Sequence, residues 1–172
     1  FEDAARSLVE PRASAARAHA ARIRTERADR FRPRVADYAF AEAAIQVGEY
    51  ALAGARYRSV LSAADAEEAA APDASRAALQ ADPERRELRS YVYYNLGCVE
   101  ALAAAGKTGP HAAATPLAME DAARNRDEAF AALDRAVELG FRDADHLRKD
   151  TDLVPLRDDP RFAELLRKAD RK

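Results

Sequence analysis

The 172-residue sequence has no tryptophan, one cysteine, one methionine, two isoleucines and four threonines. So few large β-formers leave little from which to build a β-sandwich or a parallel sheet. The single cysteine, Cys98, excludes an internal disulfide and therefore a disulfide-stapled secreted domain. Three histidines, His19, His111 and His146, lie in separate segments, and no Cys or His spacing suits zinc, so no metal site and no cofactor are expected. The acidic runs at 65–68 and 158–159 lack the central glycine of a calcium loop and read as turn, cap and solubility residues. No apolar run approaches the length needed to span a bilayer, so membrane insertion is not expected. A formal net charge of −2 gives no overall attraction for nucleic acid.

What the sequence does have is alanine. Of the 48% hydrophobic content, 44 residues are alanine and the remaining 39 are larger apolar side chains. Alanine, leucine, arginine and glutamate dominate, and all four are strong helix formers, so the class is all-α with thin helix contacts. Charge is uneven: residues 1–34 hold nine arginines against five acids, a local surplus of four, which leaves the remainder at −6. The chain opens on Phe1 rather than methionine, as expected of a fragment or a processed product. Its compartment is open, with the cytoplasm favoured.

Apolar periodicity and punctuation divide the chain. Residues 1–33 read as N-terminal Arg/Ala-rich helices, 3–10 and 12–32, with a weak apolar stripe. A helix from Arg34 to Val47 carries Tyr38, Phe40, Ala41, Ala44 and Ile45. After the Gly48-Glu49 turn, a second runs from Tyr50 to about Ala70 with Ala53, Tyr57, Val60 and Leu61 on one face. Residues 66–82 read as a loop with one short helix, 75–80. Asp82-Pro83 is an N-cap followed by proline at the first helical position, opening a helix to about Ala104. That helix bears Leu88, Tyr91, Val92, Leu96, Val99 and Leu102. After a loop at 105–115, Thr115-Pro116 opens a helix that either reaches Leu139 or breaks near Asn125. Short capped segments follow: 144–149, 153–157 and 160–170.

The two helix pairs repeat a pattern. With Gly48 and Gly106 as the inter-helix glycines, the first pair carries Ala41, Tyr50, Ala53 and Tyr57. The second carries Tyr94-Asn95-Leu96-Gly97 and then Ala129, Leu133 and Ala136. These residues resemble the tetratricopeptide repeat family, in which Gly97 would stand where the paired helices cross. Leu139-Gly140-Phe141-Arg142-Asp143, Leu147, Asp150, Asp152-Leu153, Leu156-Arg157 and Asp159-Pro160-Arg161-Phe162 look like the closing segment of bacterial tetratricopeptide proteins. That ending also follows bacterial signalling domains, including serine/threonine kinases. The resemblance covers 34–62 and 91–168. It implies antiparallel helix pairs stacked as a short α-solenoid with capping helices. The domain would span 34–172: repeat 34–62, linker 63–82, repeat 83–140 with an insertion at 105–125, and cap 141–172.

In that family the first helix of each pair lines a concave groove. The resemblance thus assigns a peptide-binding groove to Tyr38, Glu42 and Gln46 from the first pair and Tyr91, Tyr94, Asn95 and Cys98 from the second. The alternative is that the tyrosines fill the gap between helix layers and Cys98 is a buried small hydrophobe. The family's basic clamp for a C-terminal carboxylate is not expected, since no Lys or Arg falls on this face. The arginines at 17, 22, 24, 27, 30, 32 and 34 lack interleaved aromatics and read as a solvated helix face rather than a phosphate binder. Ser59, Ser62 and Ser90 sit in helices without a nucleophile elbow. Gly106-Lys107-Thr108 has no upstream loop glycine, since position 101 is alanine, and no preceding strand, so it is not a phosphate loop. No enzyme is expected. The functional expectation is a non-catalytic module that binds a peptide or helix of another protein. The alternatives are a regulatory or spacer segment of a larger bacterial signalling protein such as a kinase, and a structural subunit that self-associates through its N-terminal helices.

Overall fold

A computed structural model describes residues 35–107 and 119–170. The arginine series from Arg17 to Arg34, His19, His111 and the N-terminal helices expected at 3–32 lie outside them. The described residues are all-α, with no strand among them. In chain order they form α1 (Val35–Val47), α2 (Tyr50–Ala70), α3 (Asp73–Ala81), α4 (Pro83–Ala104), α5 (Met119–Glu138), α6 (Ala144–Lys149), a 3-10 helix (Thr151–Leu156) and α7 (Pro160–Ala169). Helix α2 packs on both α1 and α4, α4 packs on α5, the 3-10 helix packs on α4, and α7 packs on α5 and α6.

Three helices end alike. At the close of α1, Gly48 N donates to Ile45 O and Glu49 N to Ala44 O; at α4, Gly106 N donates to Ala103 O and Lys107 N to Leu102 O. Helix α5 repeats the pattern with Gly140 N to Val137 O and Phe141 N to Ala136 O. This is the Schellman arrangement, which ties down the last carbonyls and needs a positive φ at the C′ residue. Gly48 and Gly106 adopt φ of 80° and 69°, open to glycine at no steric cost. At the other end of α4, the Asp82 carboxylate accepts from Glu84 N and Arg85 N. Such a cap contributes about 1 kcal/mol.

The interior has two apolar clusters that share α4. One gathers Tyr38, Ala41, Ala44, Ala53, Tyr57 and Leu61 of α1 and α2 against Val92, Leu96 and Val99. The other gathers Tyr94, Cys98 and Ala101 against Phe130, Leu133 and Val137, with Phe141, Leu147, Leu153, Leu156, Phe162 and Leu165 of the C-terminal elements. At the α4–α5 crossing, a Cβ added to Gly97 would lie 2.6 Å from Leu133 Cγ and 3.3 Å from Ala129 O. Only glycine permits this approach.

Several expectations change. The stretch 66–82 is helical but for Ala71-Pro72 and the cap Asp82, because α2 reaches Ala70 and α3 spans 73–81. The reason is Arg76. Its Nε donates to Glu68 O and its Nη2 to Ala69 O and Ala71 O, satisfying the carbonyls that a helix end leaves open. Helix α5 passes Asn125 without a break. The segment expected at 153–157 is a 3-10 helix from Thr151, with the Asp150 carboxylate accepting from Asp152 N at 2.9 Å. Phe40 does not join the core; it is exposed, with the Arg56 guanidinium 5.1 Å from its ring centroid. The glycine at the crossing gives the first prediction. Gly97→Ala should cost about 1–3 kcal/mol through overpacking, read by urea denaturation as a lower midpoint with unchanged slope.

Candidate functional site

Five of the seven expected groove residues fall into two polar clusters on opposite sides of α4; Gln46 and Tyr91 join neither. Tyr94 and Asn95 are adjacent, so the helix turns them to different neighbours. On the α1–α2 side Glu42 is the acceptor. Its Oε1 accepts hydrogen bonds from the Tyr57 hydroxyl at 2.5 Å and from Asn95 Nδ2 at 2.7 Å. Asn95 Nδ2 also reaches the Tyr38 oxygen at 3.3 Å, and the Tyr38 and Tyr57 rings meet edge to face at 5.9 Å. Burial first, and then the charge of Glu42, push the Tyr57 hydroxyl well above its ordinary pKa, so it stays a donor.

On the other side Asp150 is the acceptor. The Tyr94 hydroxyl donates to its Oδ2, the Cys98 thiol approaches the same oxygen at 3.7 Å, and His146 Nε2 stands 4.0 Å away. The Tyr94 ring stacks on Phe141 with centroids 4.5 Å apart. Burial, reinforced by the Asp150 charge, holds the Cys98 thiol well above its ordinary pKa. A nucleophilic cysteine needs the opposite, a cationic neighbour and access. Here the carboxylate stands between thiol and imidazole, so the arrangement is no Cys–His catalytic pair. Among the described residues no group of three or more potential ligands could hold a metal.

This placement revises the groove. Tyr38, Tyr94 and Cys98 are buried and occupied with interior partners, so they offer no face to a ligand. Glu42 and Asn95 are half-buried, whereas Gln46 is exposed and Tyr91 is 48% exposed. The expected groove residues left accessible form a narrower strip than the resemblance implies: Gln46 and Glu42, one turn apart on α1, then Asn95 and Tyr91, one turn apart on α4. The Glu42–Asn95 hydrogen bond joins its two halves.

Three sets of residues escaped the sequence reading. Glu100 is only 6% exposed, and Arg58 Nη2 bridges it at 2.5 Å to Glu128 at 2.6 Å, tying α2 to α4 and α5. A charge inside Cys98-Val99-Glu100-Ala101-Leu102 was the available signal. Asp150 appeared in the closing motif, but nothing local marked it as an acceptor for residues more than fifty positions away. The acids at 65–68 are not merely solvated. Asp65 and Glu68 both pair with Arg89, and Glu67 pairs with Arg85, so they form a ladder between α2 and α4.

No protein-family model, curated protein or solved structure matches the chain.

The Glu100 pair makes a paired prediction. Arg58→Ala strands a buried carboxylate; since Arg58 is half-exposed, the cost should be about 1–3 kcal/mol. Burial outweighs the attraction of Arg58 and, helped by the Glu128 charge, raises the Glu100 pKa. A folded-state pKa above the unfolded one means a contribution present below the unfolded pKa and lost as pH rises through the folded one. Glu100→Gln cannot ionise, so its stability relative to the parent should improve from about pH 4 to about pH 7, as urea titrations at both values would show.

Proposed function

We propose that the chain is a non-catalytic protein-interaction module of the tetratricopeptide type, binding an extended peptide or a helix of another protein across α1 and α4. The observation that carries this reading is the exposed strip of Gln46, Glu42, Asn95 and Tyr91. It combines a half-exposed aromatic with amide and carboxylate groups held by an interior hydrogen bond. A rigid aromatic contributes contact area at low entropic cost, and ordered amides can bond a peptide backbone. The Schellman turns at Gly48 and Gly106 and the close crossing at Gly97 support the helix-pair design. No helix among the described residues is long and apolar enough to cross a membrane.

A second reading, self-association, is favoured by exposed Phe40 and Leu52 on the first pair, with Arg56 lying one turn beyond Leu52 and over Phe40. Light scattering of the whole chain beside Leu52→Asp separates the two: a dimer lost in the variant would favour self-association. For the leading reading, Tyr91→Ala with Gln46→Ala should weaken capture of a partner from a lysate of the source organism at least about tenfold. Helical circular dichroism should stay intact, and undiminished capture would overturn the strip.

A further inference from the structure

The ladder between α2 and α4 borders a cleft of about 330 Å³ whose wall includes Arg85, Arg86, Arg89 and Arg135 against Glu68 and Glu138. That volume sits at the lower end of the range for small-ligand sites. The arginines are not equally occupied. Arg85 uses Nη1 on Glu67 and Nη2 on the Ala64 carbonyl; Arg89 uses Nη2 on Asp65 and Nη1 on Glu68. In both, Nε is buried and has no hydrogen-bond partner. Buried donors are rarely left open, and two such donors in the wall of one cleft mark an unmet demand for an acceptor. Arg86 meets only the Gln80 carbonyl, at 3.4 Å, and forms no ion pair among the described residues. Arg135 pairs with Glu138 in an exposed contact.

The wall therefore carries four guanidinium groups and two carboxylates, with one cation that lacks an ion-pair partner and two buried N–H donors that lack hydrogen-bond partners among the described residues. Planar guanidinium edges match oxyanions, which accept two parallel N–H bonds. We infer that this cleft binds an oxyanion group, phosphate or carboxylate, on a small ligand. Arg86 and Arg135 supply exposed charge at the mouth, and Arg85 and Arg89, held by the ladder, add their positive field and open Nε–H groups from the same wall. Leu79 and Gln80 place α3 on one wall and Leu139 places the end of α5 on another, so an anion would draw the two toward α4.

The test is isothermal titration calorimetry of the full chain with inorganic phosphate and, separately, with citrate, at constant ionic strength. Saturable one-site binding is expected, and which anion binds more tightly separates a phosphate from a carboxylate ligand. Arg86→Gln with Arg135→Gln should weaken it at least about tenfold while the anion-free melting temperature holds; Arg86→Gln alone serves if the double variant does not fold. Stabilisation by excluded anions would be unsaturable and equal in parent and variant. Absence of saturable binding to either anion, or equal binding by parent and variant, overturns the inference.

Discussion

The close crossing of α4 and α5 at Gly97 governs the rest. With Leu133 pressed where a Cβ would stand, the two helices have no room for a larger residue. Alanines at 129, 132 and 136 continue the seam on α5, as Ala41, Ala44 and Ala53 do between α1 and α2. Close helices gain contact per unit length but bury little area per residue. Larger side chains are consequently gathered where α4 meets the C-terminal elements, around Phe141, Leu147, Leu153, Leu156 and Phe162.

A helix surrounded on most sides cannot be amphipathic in the simple sense. Helix α4 buries Tyr94, Cys98 and Glu100 as well as its aliphatic residues. Each polar group is matched across the interface: Tyr94 to Asp150, Glu100 to Arg58 and, half-buried beside them, Asn95 to Glu42. Unmatched, each would destabilise the fold; matched, they restrict which neighbour α4 accepts on each side. The expected groove and the core therefore share residues, and Tyr38 and Tyr94 belong to the core.

Features dictated locally were legible. The Asp82-Pro83 start, the glycine ends at Gly48, Gly106 and Gly140, and the small residue at Gly97 each require a particular residue for a backbone or steric reason, and the structure places them accordingly. Features that depend on distant partners were not. Helix α3 and the end of α2 looked like linker because their alanines and acids carry no apolar stripe; their order comes from Arg76, Arg85 and Arg89. Likewise Tyr91 and Tyr94 look equivalent in sequence, yet three residues of helix rotation leave Tyr91 half-exposed and edge-on to Phe141 while Tyr94 is buried and stacked flat on the same ring. Periodicity shows that a residue has a face, not which neighbour covers it.

Helix α2 is held by different forces along its length. Its buried residues stop at Leu61, and beyond that turn the helix is fastened by the carboxylates of Asp65, Glu67 and Glu68, while α3 has no fully buried residue and half-buries only Arg76 and Leu79. Ion pairs weaken with added salt, whereas apolar contacts do not. One unbroken helix thus has two stabilities. Its first three turns are held by apolar burial. Its last two, together with α3, rest on charge pairs, so amide exchange there should respond more to ionic strength than in the first three.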